Sequence, residues 1–311
     1  MLDDRIKGVM VPIITPFTDD EKIDFKSLRR LIDYILDNGV HGIWAAGTTG
    51  EFSALEDSDR ISAIEAVVDQ VRGRVPVIAN ISAPSTELAV KLGISLKNVA
   101  DDGIAATPPY YYPNAQDELL DHFRYIKEKT ALPLWVYNIP VTVKTAVAPT
   151  TTMQLTQEGT VIGIKDSSGS GELHAQLVTM CKQTGTDLYR FLGSMFRIST
   201  SGALGAHGVI PNMANLIPAI SSAAWEAGEA QDALTAKHYD ELLIKSIKIQ
   251  NLANGGGDNA AKLAGVKSAL ASLGVIAHDH ISRPLRPLTD EEKLPIPGIL
   301  NELGLKPYNN S

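Results

Sequence analysis

The chain of 311 residues contains one cysteine, Cys181. A single thiol excludes an intrachain disulfide and a cysteine metal cluster, and it predicts a reducing compartment. Concentrated positive charge is equally scarce. Twenty-eight Lys and Arg stand against thirty-six Asp and Glu, a net charge of −8, with no dense basic block. That balance disfavours a nucleic-acid or anionic-membrane surface. An anionic ligand would have to be held by local donors, because the overall field repels it. Long apolar runs are missing too. The N-terminal MLDDRIKGVMVPIITPF holds an apolar run of six residues that includes Pro12, too short for a signal-peptide core or a membrane span. A cytoplasmic protein is expected, with no membrane or nucleic-acid partner. Low-complexity tracts are absent, and 44% apolar with 21% charged residues is the composition of a chain with a sizeable core.

Also lacking is the glycine-rich turn that follows the first strand of an open dinucleotide-binding sheet. That position reads ITPFTDDEK; the nearest imitation, Gly202 to Gly208, comes late, precedes the last strand and has the wrong spacing. What the chain does have is eight short β-branched runs, at 8–14, 41–46, 75–82, 103–107, 132–137, 161–165, 189–193 and 206–210. Segments of helical period separate them, at 24–37, 56–71, 86–99, 116–129, 149–158 and 171–183. In the first, Phe25, Leu28, Leu31, Ile32, Ile35 and Leu36 form one stripe behind a capping Asp24. This alternation predicts an α/β fold, a (β/α)8 TIM barrel with a C-terminal helical extension. We place the barrel at residues 1–225 and the extension at 226–311. Helices are expected at 216–227, 231–253, 258–273 and 295–303. NGGGD at 254–258 reads as a turn between two of them, because no strand precedes it.

In such a barrel the chemistry sits where the strands end. Four unusual features fall there: GTTGE at 47–51, PPYYYP at 108–113, YNIP from Tyr137, and Lys165 in VIGIKDSSG. A lysine in a run covered on both faces loses hydration worth several kcal/mol. Alternation puts it on the side of Gly163 and Val161, with Gly163 leaving an opening beneath the lysine stem. A desolvated amine has a lowered pKa and can attack a ketone to give a Schiff base. The plain alternative is a lysine that reaches solvent or pairs with Asp166. GTTGE offers the hydroxyls of Thr48 and Thr49 and a run of backbone N–H groups to a carboxylate; the alternative is a mere connection, with Glu51 bonded to backbone. Tyr137 and Tyr110, Tyr111 and Tyr112 supply phenols that either pack or relay protons. The seven histidines form no ligand set; the closest approach, His278-Asp279-His280, lies in a loop. No metal and no cofactor is expected, and no nucleophilic serine motif stands out.

GTTGE, PPYYY, YNIP and GIKD, in this order and spacing, resemble the dihydrodipicolinate synthase / N-acetylneuraminate lyase family, from about residue 8 to the last barrel strand. The resemblance implies a class I, Schiff-base-forming lyase acting on pyruvate or a 2-oxo acid. Lys165 would form the imine, Thr48 and Thr49 would hold the carboxylate, and Tyr137 would relay protons with Thr48. Tyr111 resembles a tyrosine lent across a subunit interface. Gly193 and Ile210 would line the pyruvate pocket. A homotetramer built as a dimer of dimers is implied. Where the synthases of this family carry an arginine for the second substrate, this chain has Thr142, which departs from lysine biosynthesis. A small hydroxyl at Thr142 suits a polyhydroxylated substrate, so the expected reaction is aldol cleavage or dehydration of a 2-keto-3-deoxy sugar acid. The alternatives are 4-hydroxy-tetrahydrodipicolinate synthase activity, from pyruvate and aspartate semialdehyde, and a non-catalytic keto-acid-binding homologue.

Overall fold

The computed structural model describes residues 2–308. Its eight strands are β1 Gly8–Pro12, β2 Gly42–Ala45, β3 Val77–Asn80, β4 Ile104–Ala106, β5 Leu134–Asn138, β6 Gly163–Asp166, β7 Tyr189–Leu192 and β8 Gly208–Val209. Each pairs in parallel with its sequence neighbour, and β8 pairs with β1 to close a barrel. All eight expected strands form, trimmed at their ends. The connecting helices are α1 Phe25–Asp37, α2 Asp57–Val71, α3 Thr86–Ser95, α4 Gln116–Thr130, α5 Pro140–Val143, α6 Pro149–Gln157 and α7 Gly171–Thr184. In α1, Leu28, Leu31, Ile32 and Ile35 are buried against the barrel, and the Asp24 carboxylate accepts the Ser27 N–H at 3.0 Å. Such a cap contributes about 1 kcal/mol. The four-residue α5 was not expected from periodicity, since one turn is too short to show a period.

After β8, α8 Pro218–Glu229 packs on β1 as the last helix of the barrel; beyond it come α9 Ala233–Gln250, α10 Asp258–Ser272, α11 Asp290–Lys293 and α12 Ile296–Glu302. Together they form a C-terminal helical part. Among the described residues no helix is long and apolar enough to cross a membrane.

Strand register decides what fills the barrel. Tyr137 stands beside Lys165 and Lys165 beside Phe191; one layer lower, Trp135, Gly163 and Tyr189 are aligned. These side chains point inward and, with Met10, Trp44, Ile78, Ala105 and Ile210, make an inner cluster. Val136, Ile164 and Leu192, one residue out of phase, point outward into the larger core shared with the helices. Two expectations for β6 fail here. Gly163 leaves no opening: a Cβ there would sit 2.5 Å from the Trp135 ring, which occupies that space. Val161 belongs to the outer cluster and Ile162 packs against the inner one, because pairing begins at Gly163 and the strand alternation does not extend below it.

Candidate active site

Lys165 closes β6 at the C-terminal rim and is only 3% exposed. Its Nζ lies 4.1 Å from the centroid of the Tyr137 ring and 4.8 Å from that of Trp44. Burial alone pushes its pKa down from the ordinary lysine value to about 7. Asp166 is turned away to other partners. It accepts Asn138 Nδ2 at 2.9 Å, and the N–H and hydroxyl of Ser168 at 3.1 and 3.0 Å. Among the described residues no carboxylate forms an ion pair with Lys165. The lysine is thus buried, unpaired and half-deprotonated near neutrality, which are the requirements for an amine nucleophile.

The Tyr137 hydroxyl shares a hydrogen bond of 3.1 Å with Thr48 Oγ1. Burial drives its pKa up to about 12, against the opposing hydrogen bonds from Thr48 and Ser167. It is therefore a neutral phenol that can pass a proton but does not act as a phenolate.

The turn after β2 is closed by two of its own backbone bonds, Gly50 N–H to Gly47 O at 3.0 Å and Glu51 N–H to Thr48 O at 3.1 Å. Thr15 Oγ1 donates to Gly50 O at 2.7 Å from the neighbouring loop. Glu51 takes a left-handed φ of 57° to complete the turn. Within GTTGE the N–H groups of Gly47, Thr48 and Thr49 have no protein acceptor among the described residues. The anion-binding part of GTTGE is thus narrower than the whole motif.

Lys165, Tyr137, Thr48, Thr49, Gly193 and Ile210 all line one cavity of about 910 Å³. Gly193 follows β7 and donates its N–H to Asp166 O at 2.8 Å; a side chain there would overlap Ser167 Oγ. Ile210 follows β8, bonded to Leu192 O at 2.8 Å. Thr142 does not line this cavity. It is exposed on α5 and borders a neighbouring one of about 290 Å³, which shares Thr48 and Thr49. Tyr111 lines neither: it is 87% exposed at a φ of 94°, edge-on to Tyr112.

Sequence reasoning missed a distal wall. Arg197 and Phe196 from the loop after β7, Gln250 from α9, and Asp258, Asn259 and Lys262 from α10 all line the large cavity. Arg197 makes no hydrogen bond or ion pair among the described residues, whereas Lys262 pairs with Asp258 at 2.6 Å. The available signal was NGGGD, read only as a turn, which delivers Gly257 and Asp258 to the cavity. Ser167, beside Tyr137, was also overlooked. Away from the cavity, His278 Nδ1 and His280 Nε2 lie 3.1 and 2.8 Å from Asp19 Oδ1. That grouping has no trace in local spacing, because Asp19 comes from the loop after β1. Its three groups are matched to one another at the surface, as a tie between loops.

Comparison with known proteins bears on the family and the fold. Residues 5–303 match the Dihydrodipicolinate synthetase family. The chain is 33% identical over 299 residues to a 4-hydroxy-tetrahydrodipicolinate synthase of Pelobacter propionicus, covering 96% of this chain and 99% of that one. It is 32% identical over 302 residues to the same-named protein of Thermodesulfovibrio yellowstonii, again covering 96% and 99%. A solved dihydrodipicolinate synthase from Bacteroides thetaiotaomicron superposes with a TM-score of 0.90 at 28% identity, covering 97% of this chain and all of that one. The enzyme from Thermotoga maritima gives 0.86 at 27%, covering 96% and 98%. Barrel and site together define a lyase of the class I aldolase type. The chain belongs to the Dihydrodipicolinate synthetase family.

Proposed function

We propose that the chain is a cofactor-free lyase in which Lys165 forms an imine with a 2-oxo acid, and that the substrate is a 2-keto-3-deoxy sugar acid. The observation that carries this reading is the Lys165 amine, buried and without a counter-charge beside the Tyr137–Thr48 pair. The amine adds to C2 and water leaves. The resulting iminium charge lies over the faces of Tyr137 and Trp44, where ring quadrupoles favour a cation. The iminium withdraws electrons from C3. In aldol cleavage the C4 hydroxyl gives its proton to Tyr137 as the phenol passes its own through Thr48 to water, the C3–C4 bond breaks, and an aldehyde departs. The enamine is then protonated at C3 and hydrolysed to pyruvate and free Lys165. In dehydration the imine instead loses a C3 proton and the C4 hydroxyl leaves as water. Thr48 and Thr49 would hold the carboxylate throughout.

A cavity of about 910 Å³ far exceeds what pyruvate needs. Its distal lining of Ser168, Ser194, Asn212, Gln250, Asn259 and the unpaired Arg197 suits a chain bearing several hydroxyls. A second reading, 4-hydroxy-tetrahydrodipicolinate synthase, is favoured by the names of the relatives; Thr142 in place of the expected arginine weighs against it. We further propose a homotetramer in the cytoplasm, in which the exposed Tyr111 reaches a neighbouring subunit's site.

Borohydride added with pyruvate is expected to fix one pyruvyl unit on the Lys165 peptide, read by mass spectrometry. Lack of an adduct, under conditions that trap a known family member, would reject the mechanism. A panel of 2-keto-3-deoxy acids of increasing chain length, with pyruvate release and water loss assayed separately, tests the substrate class. Higher kcat/KM for condensation of pyruvate with aspartate semialdehyde would favour the second reading.

A further inference from the structure

A second lysine is buried as deeply as Lys165 and has no part in the chemistry above. Lys267, on α10, is fully buried, and its Nζ lies 4.2 Å from the centroid of the Phe17 ring. It is ion-paired with Glu51 Oε1 and donates to His280 O at 2.8 Å. The other Glu51 oxygen accepts the Ser282 N–H at 2.7 Å. One ammonium therefore joins four pieces of chain: the loop after β1, the GTTGE turn, α10, and the segment that runs over them after α10. That segment is itself anchored to the barrel, by Ala277 N–H to Ser27 Oγ at 2.9 Å and Arg30 Nε to Val275 O at 2.6 Å.

A buried ion pair is a poor means of adding stability. Taking both charges from water costs several kcal/mol each, and an apolar replacement of similar volume is often neutral or stabilising. What such a pair does supply is direction, since it is satisfied in one geometry only. Here the direction is imposed on Glu51, whose left-handed φ of 57° ends the turn bearing Thr48 and Thr49. The backbone bond from Glu51 N–H to Thr48 O at 3.1 Å passes any movement of Glu51 directly to Thr48. Thr48 in turn is hydrogen-bonded to Tyr137.

We propose that Lys267 is a positioning residue: through Glu51, it holds the Thr48–Thr49 turn at the height where its donors meet the carboxylate of the 2-oxo acid. The role rests on Thr48 and Thr49 being the carboxylate cradle and Lys165 the imine-forming amine. It makes the C-terminal helical part a component of substrate recognition and not only a cover.

The test separates carboxylate recognition from amine reactivity. Removing Lys267 alone strands a buried carboxylate and endangers folding, so the variant is the double substitution Glu51→Gln with Lys267→Met, which keeps both shapes without charge. Trapping on Lys165 is followed with pyruvate and with acetone, a ketone that has no carboxylate. The expected result is a folded protein with wild-type or higher Tm, a half-saturating pyruvate concentration raised at least about tenfold, and acetone trapping at the wild-type rate. Equal losses for both ketones, no loss for either, or a variant that fails to fold would each overturn the proposal. Absence of trapping in the wild-type protein would instead reject the Schiff-base reading, and this role with it.

Discussion

Lys165→Met is expected to abolish turnover and borohydride trapping while making the protein more resistant to heat. The sign follows from linkage. In the folded chain the amine has a pKa of about 7, against an ordinary value near 10.4 when unfolded. Between those values the unfolded state binds the extra proton, so the burden that the lysine places on stability is fully present below about pH 7 and fades as pH rises toward 10. A difference of this size corresponds to roughly 3 to 5 kcal/mol, and methionine fills a similar volume without charge. Thermal melts of both proteins near pH 7 and near pH 10 provide the check. The gain should be large at the lower pH and much smaller at the higher. A variant that melts below the wild type at pH 7 would mean that the ammonium is stabilised in the fold.

The second large effect is expected at Tyr137. Tyr137→Phe retains the ring that packs on Lys165 and Trp44 but removes the oxygen bonded to Thr48. Loss of a positioned proton relay reduces kcat by roughly a hundred- to a thousandfold, while trapping of pyruvate on Lys165 should persist because the amine and its burial are unchanged. The wild-type rate of imine formation should climb with pH up to about 7, as the amine loses its proton, and then level. No second change is expected until the phenol ionises near 12. A Phe variant with wild-type kcat would remove Tyr137 from the mechanism.

The barrel was legible because each of its units carries its own local signal. β-branched runs of five to eight residues, helical stripes such as Leu28, Leu31 and Ile35, and a cap such as Asp24 are all set by neighbours in sequence. The rim residues were legible for a related reason. Lys165 and the GTTGE turn violate the pattern of the strands that carry them, and a violated pattern points to chemistry. What lay hidden depends on pairs distant in sequence. That Trp135 fills the space over Gly163 follows from register between strands, which alternation within one strand does not reveal. That Lys267 meets Glu51, or that Asp258 and Lys262 reach the cavity, follows from how helices beyond the barrel fold back over it. The plain alternative for GTTGE has Glu51 bonded to backbone, and Ser282 is such a partner; the cation opposite it leaves no mark in local sequence.

Beneath Lys165 the barrel axis is plugged by Trp44, Trp135, Tyr189 and Phe191, all buried and in mutual ring contact or register. The chamber is consequently closed from below and opens toward the strand ends. Whatever is released from the amine must retreat toward the same rim by which the next molecule arrives. The aromatic stopper thereby turns a static packing feature into a rule about traffic: entry and exit lie on the side where the C-terminal helices stand.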